Sequence, residues 1–401
     1  MDEIEELDSK YHLSYQEKLQ LKKAKSDLEM WGKGPLSSLL DQGTIEKASS
    51  GQRAKLVLVQ VEKAMAEERK RATDYHDFLP PRITLQKQKE LFTTGDRLMG
   101  RCPCPRDGEL TRCCNLHTLD AVEQCAFACS YCAVQSFYSE NQIKVVENLK
   151  ERLSVVDIPD GTWHIGTGQA SDSLLWGDDY GTLTALKVLA NRYPDKIIEL
   201  KTKSARTDWI TNDWPKNIVA TWSLNAETIV EKEELLTASL ESRIHAARLA
   251  ADRHIPVGFH LHPMVFFDGW EKEYAEVVSA IVRNFKPEEV MMVSFGTLTF
   301  TKGVLKTLRE RKRPSRILDM ELVPFAGKFS YPWETKRKLF SVAWNAFPQS
   351  WKQGFPFFYL CFEDPTLWQP VLGRSYPSNQ AFEDDMRRSY LETARLFRKK
   401  D

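Results

Sequence analysis

The stretch CAFACSYC, residues 125–132, determines how the rest of this chain is interpreted. It places Cys125, Cys129 and Cys132 in a CxxxCxxC spacing on one short loop. The irons of a 4Fe-4S cluster are held by cysteine thiolates, normally four of them. Three closely spaced cysteines therefore predict a 4Fe-4S cluster with one iron open to a small molecule.

Three neighbouring cysteines also occur as half of a zinc site, as buried apolar thiols, or as disulfide partners. Zinc sites usually show paired CxxC units or a nearby histidine, and the nearest histidine, His117, precedes the loop in a strand-like run. The chain has 8 cysteines in 401 residues and no signal-peptide pattern, which predicts a reducing compartment. We therefore favour a 4Fe-4S cluster over a zinc site, buried apolar thiols or disulfides.

Composition limits the classes of function. The hydrophobic fraction is 42%, enough for a substantial core, and 56 basic residues balance 56 acidic ones. There is consequently no global basic field to attract nucleic acid. No apolar run reaches the roughly 18 residues of a membrane span, and the first ten residues are acidic. We expect a soluble cytoplasmic protein that does not interact with membranes.

The chain divides into three predicted parts. Residues 1–80 form a charged helical extension, 81–117 a cysteine-containing linker, and 118–401 the main domain with a carboxyl-terminal extension. From residue 116, apolar strand-like runs alternate with amphipathic helical ones, for example WHIGT, KIIELKT, NIVATWSLN, IPVGFHLHPM and EVMMVSFGT for the strands. This alternation predicts an α/β fold of parallel βαβ units, with the functional site at the carboxyl ends of the strands.

Polar residues follow several of these strands, where a molecule bound at the open iron would need hydrogen-bond partners. Each has an ordinary alternative: Asp172 suits a helix cap and Lys203 a solvated charge. His260 and His262 are two residues apart and so share one strand face. The candidate ligand-binding residues at strand ends are Ser171, Asp172, Lys203, Ser223, Asn225 and His262.

A second cysteine group, CPCPRDGELTRCC, lies directly upstream of the first strand. Its thiols can ligate an auxiliary Fe-S cluster or a zinc ion, or they can be clustered reduced cysteines without a metal. Adjacent cysteines strain tetrahedral coordination, and neither metal has its usual spacing here. The candidate ligands of this second site are Cys102, Cys104, Cys113 and Cys114.

Beyond the cysteine loop, the chain resembles the spore photoproduct lyase family of radical S-adenosylmethionine (radical SAM) proteins. The resemblance rests on SYCAVQ, KTK, WSLN, VGFHLHPMVFFDGWEKEY, FGTLTFTKG and FYLCFEDPTLWQPVLG, over about residues 118–398. It implies a partial (β/α)6 TIM-type barrel and a cluster on Cys125, Cys129 and Cys132. It also implies SAM contacts from Tyr131, Ser171, Lys203 and Ser223, reductive SAM cleavage to a 5′-deoxyadenosyl radical, and an external electron donor such as flavodoxin or ferredoxin.

The sequence departs from that family at two positions. Lyases of the family place a tyrosine after the last cluster cysteine and a hydrogen-donating cysteine near the second strand end; this chain has Ala133 and Gln169 there. Thymine-dimer reversal by the family's relay is therefore not expected. Substitute donors by residue type are Cys361, Tyr138 and Tyr180, although Cys361 lies in an apolar run that favours packing.

The leading functional hypothesis is a radical SAM enzyme, with a DNA or nucleotide-type substrate suggested by analogy alone. A second hypothesis is a radical SAM modification enzyme with an auxiliary cluster and a non-DNA substrate. A third is a non-catalytic metal-binding module that recruits a partner through its helical extension. The basic run 306–316, KTLRERKRPSR, suits phosphate contacts or a solvated helix face equally well.

Overall fold

The structure is a computed structural model that describes residues 2–84, 89–94, 98–102, 110–114, 116–133 and 142–398. Its helices, numbered in chain order, are α1 (Glu3–Tyr11), α2 (Tyr15–Trp31), α3 (Gln42–Lys47), α4 (Ser50–Arg69), α5 (Leu149–Val155), α6 (Thr182–Arg192), α7 (Glu227–Glu233), α8 (Leu240–Asp252), α9 (Trp270–Asn284), α10 (Lys302–Glu310), α11 (Trp333–Ala346), α12 (Gln349–Lys352), α13 (Trp368–Leu372) and α14 (Asn379–Arg398).

The strands are β1 (Lys89–Thr93), β2 (Met99–Arg101), β3 (His117–Leu119), β4 (Val122–Glu123), β5 (Ala128–Cys129), β6 (Gln142–Val146), β7 (His164–Thr167), β8 (Ile197–Thr202), β9 (Ile218–Leu224), β10 (Glu234–Leu235), β11 (Val257–Met264), β12 (Val290–Thr297), β13 (Thr299–Phe300), β14 (Val323–Phe325), β15 (Lys328–Ser330) and β16 (Phe357–Leu360).

The chain forms two compact units. The helical unit contains residues 1–82, 266–268 and 299–332, and the barrel unit contains 83–265, 269–298 and 333–401. The sequence prediction assigned 118–401 to one domain, whereas the structure groups 299–332 with the amino-terminal helices. The reason is visible in the side chains, because α10 from that segment forms ion pairs with α2.

The helical unit is built on α1 to α4 and α10, with a small antiparallel sheet of β13, β15 and β14. A capping box of Ser14 and Glu17 begins α2, and Gly32 ends it in the left-handed conformation. Inside the unit, Asp27 is only 1% exposed and accepts hydrogen bonds from Arg309 Nε at 2.6 Å and Arg69 Nη2 at 2.8 Å. This carboxylate therefore joins α2 to α4 and α10.

The barrel unit contains one large sheet in the order β16, β12, β11, β9, β8, β7, β3, β2. Neighbouring strands from β3 to β16 are parallel, and β2 pairs antiparallel with β3 at one edge. The strands β8, β9, β11 and β12 are almost entirely buried, which is typical of parallel strands covered on both faces. The sheet curls into a half barrel, which confirms the predicted fold class.

Two small sheets flank the main one. In one, β6 pairs parallel with β1 and antiparallel with β4; in the other, β5 pairs antiparallel with β10. The described residues include no helix that is long and apolar enough to cross a membrane.

Removing the Asp27 carboxylate tests the centre of the helical unit. Asp27→Ala leaves the Arg69 and Arg309 guanidinium groups without their shared anion, so we expect the free energy of unfolding to fall by about 3 kcal/mol. Chemical denaturation followed by circular dichroism measures this loss. The control is Glu310→Ala, whose exposed pairing with Lys306 at 3.7 Å should contribute less than about 0.5 kcal/mol. Equal effects of the two variants would contradict the assignment.

Candidate functional site

The cysteine loop lies between the first parallel strand and the second, and it is anchored to the β9–α8 connection. Its Cys129 pairs with Glu234 in the two-stranded sheet of β5 and β10. One residue later, the Ser130 N–H donates to the Glu233 carbonyl at 2.8 Å, and the Cys132 N–H closes a turn onto Cys129 at 3.2 Å. The loop backbone is thus held in place by a segment about one hundred residues further along the chain.

Glu234 is the centre of a buried ion network under this loop. Lys203 Nζ donates to its Oε1 at 2.8 Å, and Asn225 Nδ2 donates to the same oxygen at 3.0 Å. Arg243 Nη2 lies 2.7 Å from its Oε2, and the Tyr131 hydroxyl donates to Oε1. Lysine, asparagine and tyrosine predicted separately at strand ends and in the loop therefore meet on one carboxylate.

The electrostatics of this network keep it ionised. Burial alone would raise the pKa of Glu234, but the Lys203 and Arg243 charges outweigh burial and hold that pKa well below its usual range. Burial raises the pKa of the Tyr131 phenol well above its ordinary value, so the hydroxyl remains a hydrogen-bond donor. The Glu234 and Arg243 side chains have no solvent exposure, which makes each dependent on the other.

The predicted site residues at the carboxyl end of β9, Ser223 and Asn225, also have hydrogen-bond partners. Asn225 donates to the Pro263 carbonyl at 3.0 Å and accepts from the Tyr274 hydroxyl at 2.9 Å. The Ser223 carbonyl accepts from Arg243 Nη1 at 2.8 Å. Asn225 thus ties the ends of β9 and β11 together, in addition to its bond to Glu234.

After the second strand, Asp172 acts as a local cap. Its Oδ1 accepts from the Leu175 N–H at 2.9 Å and from the Thr202 hydroxyl at 2.6 Å, and its Oδ2 accepts from the Lys203 N–H at 2.7 Å. This arrangement favours the capping interpretation of Asp172. Ser171 donates its hydroxyl to the Gln124 carbonyl at 2.7 Å, directly beside the cysteine loop.

The sheet interior contains a charged group that the sequence analysis missed. Glu199, on β8, lies 2.9 Å from His164 Nε2 and 2.6 Å from His260 Nε2, and its Oε1 also accepts from the Thr221 hydroxyl at 2.8 Å. Burial lowers the pKa of His260 to about 4, so the imidazole is neutral at pH 7. A glutamate between the apolar residues of the strand run IIEL was the sequence signal for this site.

A cavity of about 110 Å³ opens beside these residues within the barrel unit. His262 lines it, and His262 Nδ1 is buried without a hydrogen-bond partner among the described residues. The ring needs the space left by Gly296, because a Cβ there would lie 2.8 Å from Nδ1. Gln169 and Cys361 line the same cavity.

The candidate hydrogen donors lie in different parts of the chain. Cys361 lies at the carboxyl end of β16 and lines the cavity, where sequence reasoning expected simple packing. Tyr180 packs against Val122 of the small sheet, and its hydroxyl donates to Glu90 at 3.0 Å. Tyr138 and Cys104 lie outside the described residues.

The loop thiols fit a cluster better than a single ion. Among the described residues, no three His, Cys, Asp or Glu side chains are grouped so that they could hold one metal ion. A cubane offers a separate iron to each thiolate, so its cysteines need not converge on one point. Burial raises the pKa of Cys125 well above its ordinary value, and the neighbouring charges of Asp172, Cys132 and Cys129 raise it further. The three thiols are thus neighbours on one loop, where Cys129 is buried and Cys125 and Cys132 are partly exposed.

Comparison with known proteins finds a family match over part of the chain. A family model described as spore photoproduct lyase matches residues 213–331. Spore photoproduct lyase of Geobacillus sp. (strain Y412MC61) is 27% identical over 114 residues, which are 28% of this chain and 32% of that protein. The chain thus matches about a third of the curated relative's length, and the cysteine loop lies outside the residues that the family model matches.

Solved structures support the fold. A cysteine-to-alanine variant of spore photoproduct lyase with dinucleoside spore photoproduct has a TM-score of 0.54 at 17% identity, over 72% of this chain and 89% of that one. A second variant, with bound AdoMet and the dinucleoside, has a TM-score of 0.50 at 21% identity, over 61% and 75%. At these identities the likeness concerns the fold.

The half barrel is the fold that the chain shares with the solved spore photoproduct lyase structures, and the three-cysteine loop lies at the carboxyl ends of its strands. Within that fold, residues 213–331 match the spore photoproduct lyase family model, and the curated relative is a spore photoproduct lyase as well.

The pH dependence of stability tests the Glu234 network. Glu234→Gln leaves Lys203 and Arg243 uncompensated, so we expect a loss of about 3 kcal/mol in unfolding free energy at pH 7. Because the folded-state pKa of Glu234 is depressed, its contribution is complete above the ordinary value of 4.5 and declines as pH falls below it. Denaturant unfolding of the wild type and of Glu234→Gln between pH 3 and pH 7 measures how far their unfolding free energies converge as the pH falls.

The matched control for this prediction is Glu241→Gln, an exposed residue in the first turn of α8. Its effect should stay below about 0.5 kcal/mol. A Glu234→Gln deficit that stays constant across the pH range would contradict the assigned ion network.

Proposed function

We propose that this protein is a radical SAM enzyme whose 4Fe-4S cluster is held by Cys125, Cys129 and Cys132. When bound, such a cluster supplies the reductive cleavage of SAM to methionine and a 5′-deoxyadenosyl radical. The observation that carries the proposal is the attachment of the three-thiol loop, through β10 and Glu234, to the carboxyl ends of the parallel strands. A structural zinc loop would not need to be placed at that face.

The residues around the loop define a place for SAM. Tyr131, Ser171, Lys203 and Ser223 are the contacts that the family resemblance implies, and Asn225 and His262 are further candidates at strand ends. The Glu234 network orients Tyr131 and Lys203, since both side chains are bonded to the same carboxylate oxygen. Such preorganisation keeps polar groups in position for a ligand without reorganisation on binding.

The electron for this reaction must come from outside the chain. We assign that role to a donor of the flavodoxin or ferredoxin type, acting on a cluster loop that is partly accessible. Cys125 and Cys132 retain intermediate exposure, whereas Cys129 is buried. An approach from the Cys125 and Cys132 side would therefore bring the donor nearest to the cluster.

The substrate is proposed by analogy as DNA or a nucleotide-type molecule, because two related structures carry dinucleoside spore photoproduct. Ala133 and the cavity residue Gln169 argue against the lyase relay, since neither side chain has a weak X–H bond for a carbon radical. The basic run 306–316 gives limited support for phosphate contacts. Arg309 is paired with Asp27, and Arg316 Nε donates to the Trp31 carbonyl at 2.9 Å.

A second candidate is a modification enzyme with an auxiliary cluster and a non-DNA substrate. It is favoured by the gathering of cysteines on the 110 Å³ cavity. The non-catalytic alternative, a metal-binding module that recruits a partner, predicts zinc and no SAM cleavage.

Reductive SAM cleavage tests the enzyme proposal. Anaerobically reconstituted protein, reduced with dithionite, should convert SAM to 5′-deoxyadenosine, detected by chromatography. The variant C125A/C129A/C132A should lose this product because no thiolate remains on the loop. Ser130→Ala, within the same loop, should retain it, since the Ser130 hydroxyl donates to the Glu233 carboxylate and all three thiols remain. If the wild-type protein contains only zinc and forms no 5′-deoxyadenosine, the radical SAM enzyme proposal is wrong.

A narrower experiment concerns lesion repair. Supplied with dinucleoside spore photoproduct, the wild-type protein should form 5′-deoxyadenosine without releasing two thymidines, because Ala133 and Gln169 provide no hydrogen return. The double variant A133Y/Q169C should increase the thymidine yield above the wild-type level. Recovery of thymidine over many turnovers by the wild type would refute our interpretation of these two positions.

A further inference from the structure

Four thiols, one of them far from the rest in sequence, line the same cavity of the barrel unit. They belong to Cys102, Cys113, Cys114 and Cys361, and the cavity measures about 110 Å³. That volume is several times what one water molecule needs. The grouping differs from the predicted second site, because Cys361 from the end of β16 joins three of the upstream cysteines.

Backbone hydrogen bonds hold these cysteines in position. The Cys102 N–H donates to the Leu116 carbonyl at 2.9 Å, beside β3 at one side of the sheet. The Cys361 N–H donates to the Phe295 carbonyl at 2.7 Å, on the β16 edge. The segment with Cys113 is tied by its own N–H to Asn379 Oδ1 at 3.2 Å. Three of the four cysteines are therefore held through their own backbone N–H groups.

The segment carrying Cys113 and Cys114 also reaches the last strand. Arg112 forms an antiparallel bridge with Glu363, and its N–H donates to the Glu363 carbonyl at 2.9 Å. Glu363 is itself held by Lys336 Nζ at 2.6 Å and by the Thr297 hydroxyl at 2.8 Å. The four cysteines thus come from the β2–β3 side, from this segment and from β16, and they all line the same cavity.

Other polar side chains line the cavity beside the thiols. Cys113 and Cys114 are adjacent in the sequence, and both line the cavity together with Cys102 and Cys361. Lys201 lines the same cavity and provides a positive charge beside the four sulfurs. His262, with its unpartnered buried Nδ1, lies on the cavity wall as well. An unsatisfied buried nitrogen is an independent indication that a ligand belongs in this space.

The arrangement favours a cluster over one zinc ion. Zinc needs its four ligands converging tetrahedrally on one point, and the described residues contain no such group of three or more side chains. Adjacent cysteines such as Cys113 and Cys114 fit poorly on one tetrahedron. A cluster distributes its thiolates over separate irons, and a cation beside it offsets the negative charge of the thiolates.

We propose that Cys102, Cys113, Cys114 and Cys361 bind a second iron–sulfur cluster that joins the two sides of the half barrel. This cluster is separate from the one on the 125–132 loop, and it does not depend on SAM cleavage. It would provide a redox centre inside the barrel and a covalent connection between its first and last strands.

Iron content in a chain without the first cluster tests the proposal, because all four proposed ligands remain intact. The full-length C125A/C129A/C132A protein, reconstituted anaerobically with iron and sulfide, should retain about two to four irons per chain, with matching sulfide and a cluster absorbance. Elemental analysis and Mössbauer spectroscopy measure both. An iron-free chain, or one that holds zinc without sulfide, would overturn the proposal.

The fourth ligand is tested in that same background. Cys361→Ser should change the Mössbauer and electron paramagnetic resonance spectra of the remaining cluster or lower its iron content by at least about half, since one of its four thiolates is lost. Cys104→Ser is the matched control, since it removes a thiol from the same upstream group, and it should leave the cluster intact. If Cys104→Ser removes the cluster while Cys361→Ser leaves it unchanged, the assignment of Cys361 is wrong.

Discussion

The buried carboxylate of Glu234 is the group on which the cysteine loop depends. It lies on a two-residue strand that pairs with Cys129, so its backbone positions the loop while its side chain collects Lys203, Arg243, Asn225 and Tyr131. A charge without solvent exposure is stable only when its partners are all in place. The network therefore couples the loop geometry to the ends of β8 and β9, and a shift of the loop would separate the Tyr131 hydroxyl from Glu234.

A second buried carboxylate, that of Glu199, organises the polar groups inside the barrel unit. Glu199 is shared between His164 and His260, and Ser294 supports the far nitrogen of His260 at 2.6 Å. Because a carboxylate can only accept, both Nε2 atoms must carry the proton and donate to it. This polar centre borders the cavity where the upstream cysteines meet Cys361. Arg112, which forms a bridge with Glu363, also lines that cavity.

Much of the architecture could be predicted from local patterns. Apolar runs and amphipathic helices placed β7, β8, β9, β11 and β12 correctly, because burial on both faces leaves a long apolar signature in a parallel strand. The same reasoning missed the grouping of 299–332 with the helical unit. Asp27 and Arg309 are 282 residues apart, and nothing in either neighbourhood indicates the other. It also left Arg309 and Arg316 as candidate phosphate ligands, although both have partners within the helical unit.

Residue type and spacing were enough to predict the succession of strands along the chain and the three-thiol loop after the first parallel strand, and the family resemblance indicated the departures at Ala133 and Gln169. Three further features required the folded chain: Asp172 caps its own turn, Lys203 pairs with Glu234, and Cys361 joins the upstream cysteines. Ion pairs and shared cavities arise between segments that the barrel brings together. They are stable only when both partners are buried together, because each group then compensates the desolvation cost of the other. Such pairing leaves no periodic trace in either segment, so it cannot be found in the sequence of one of them.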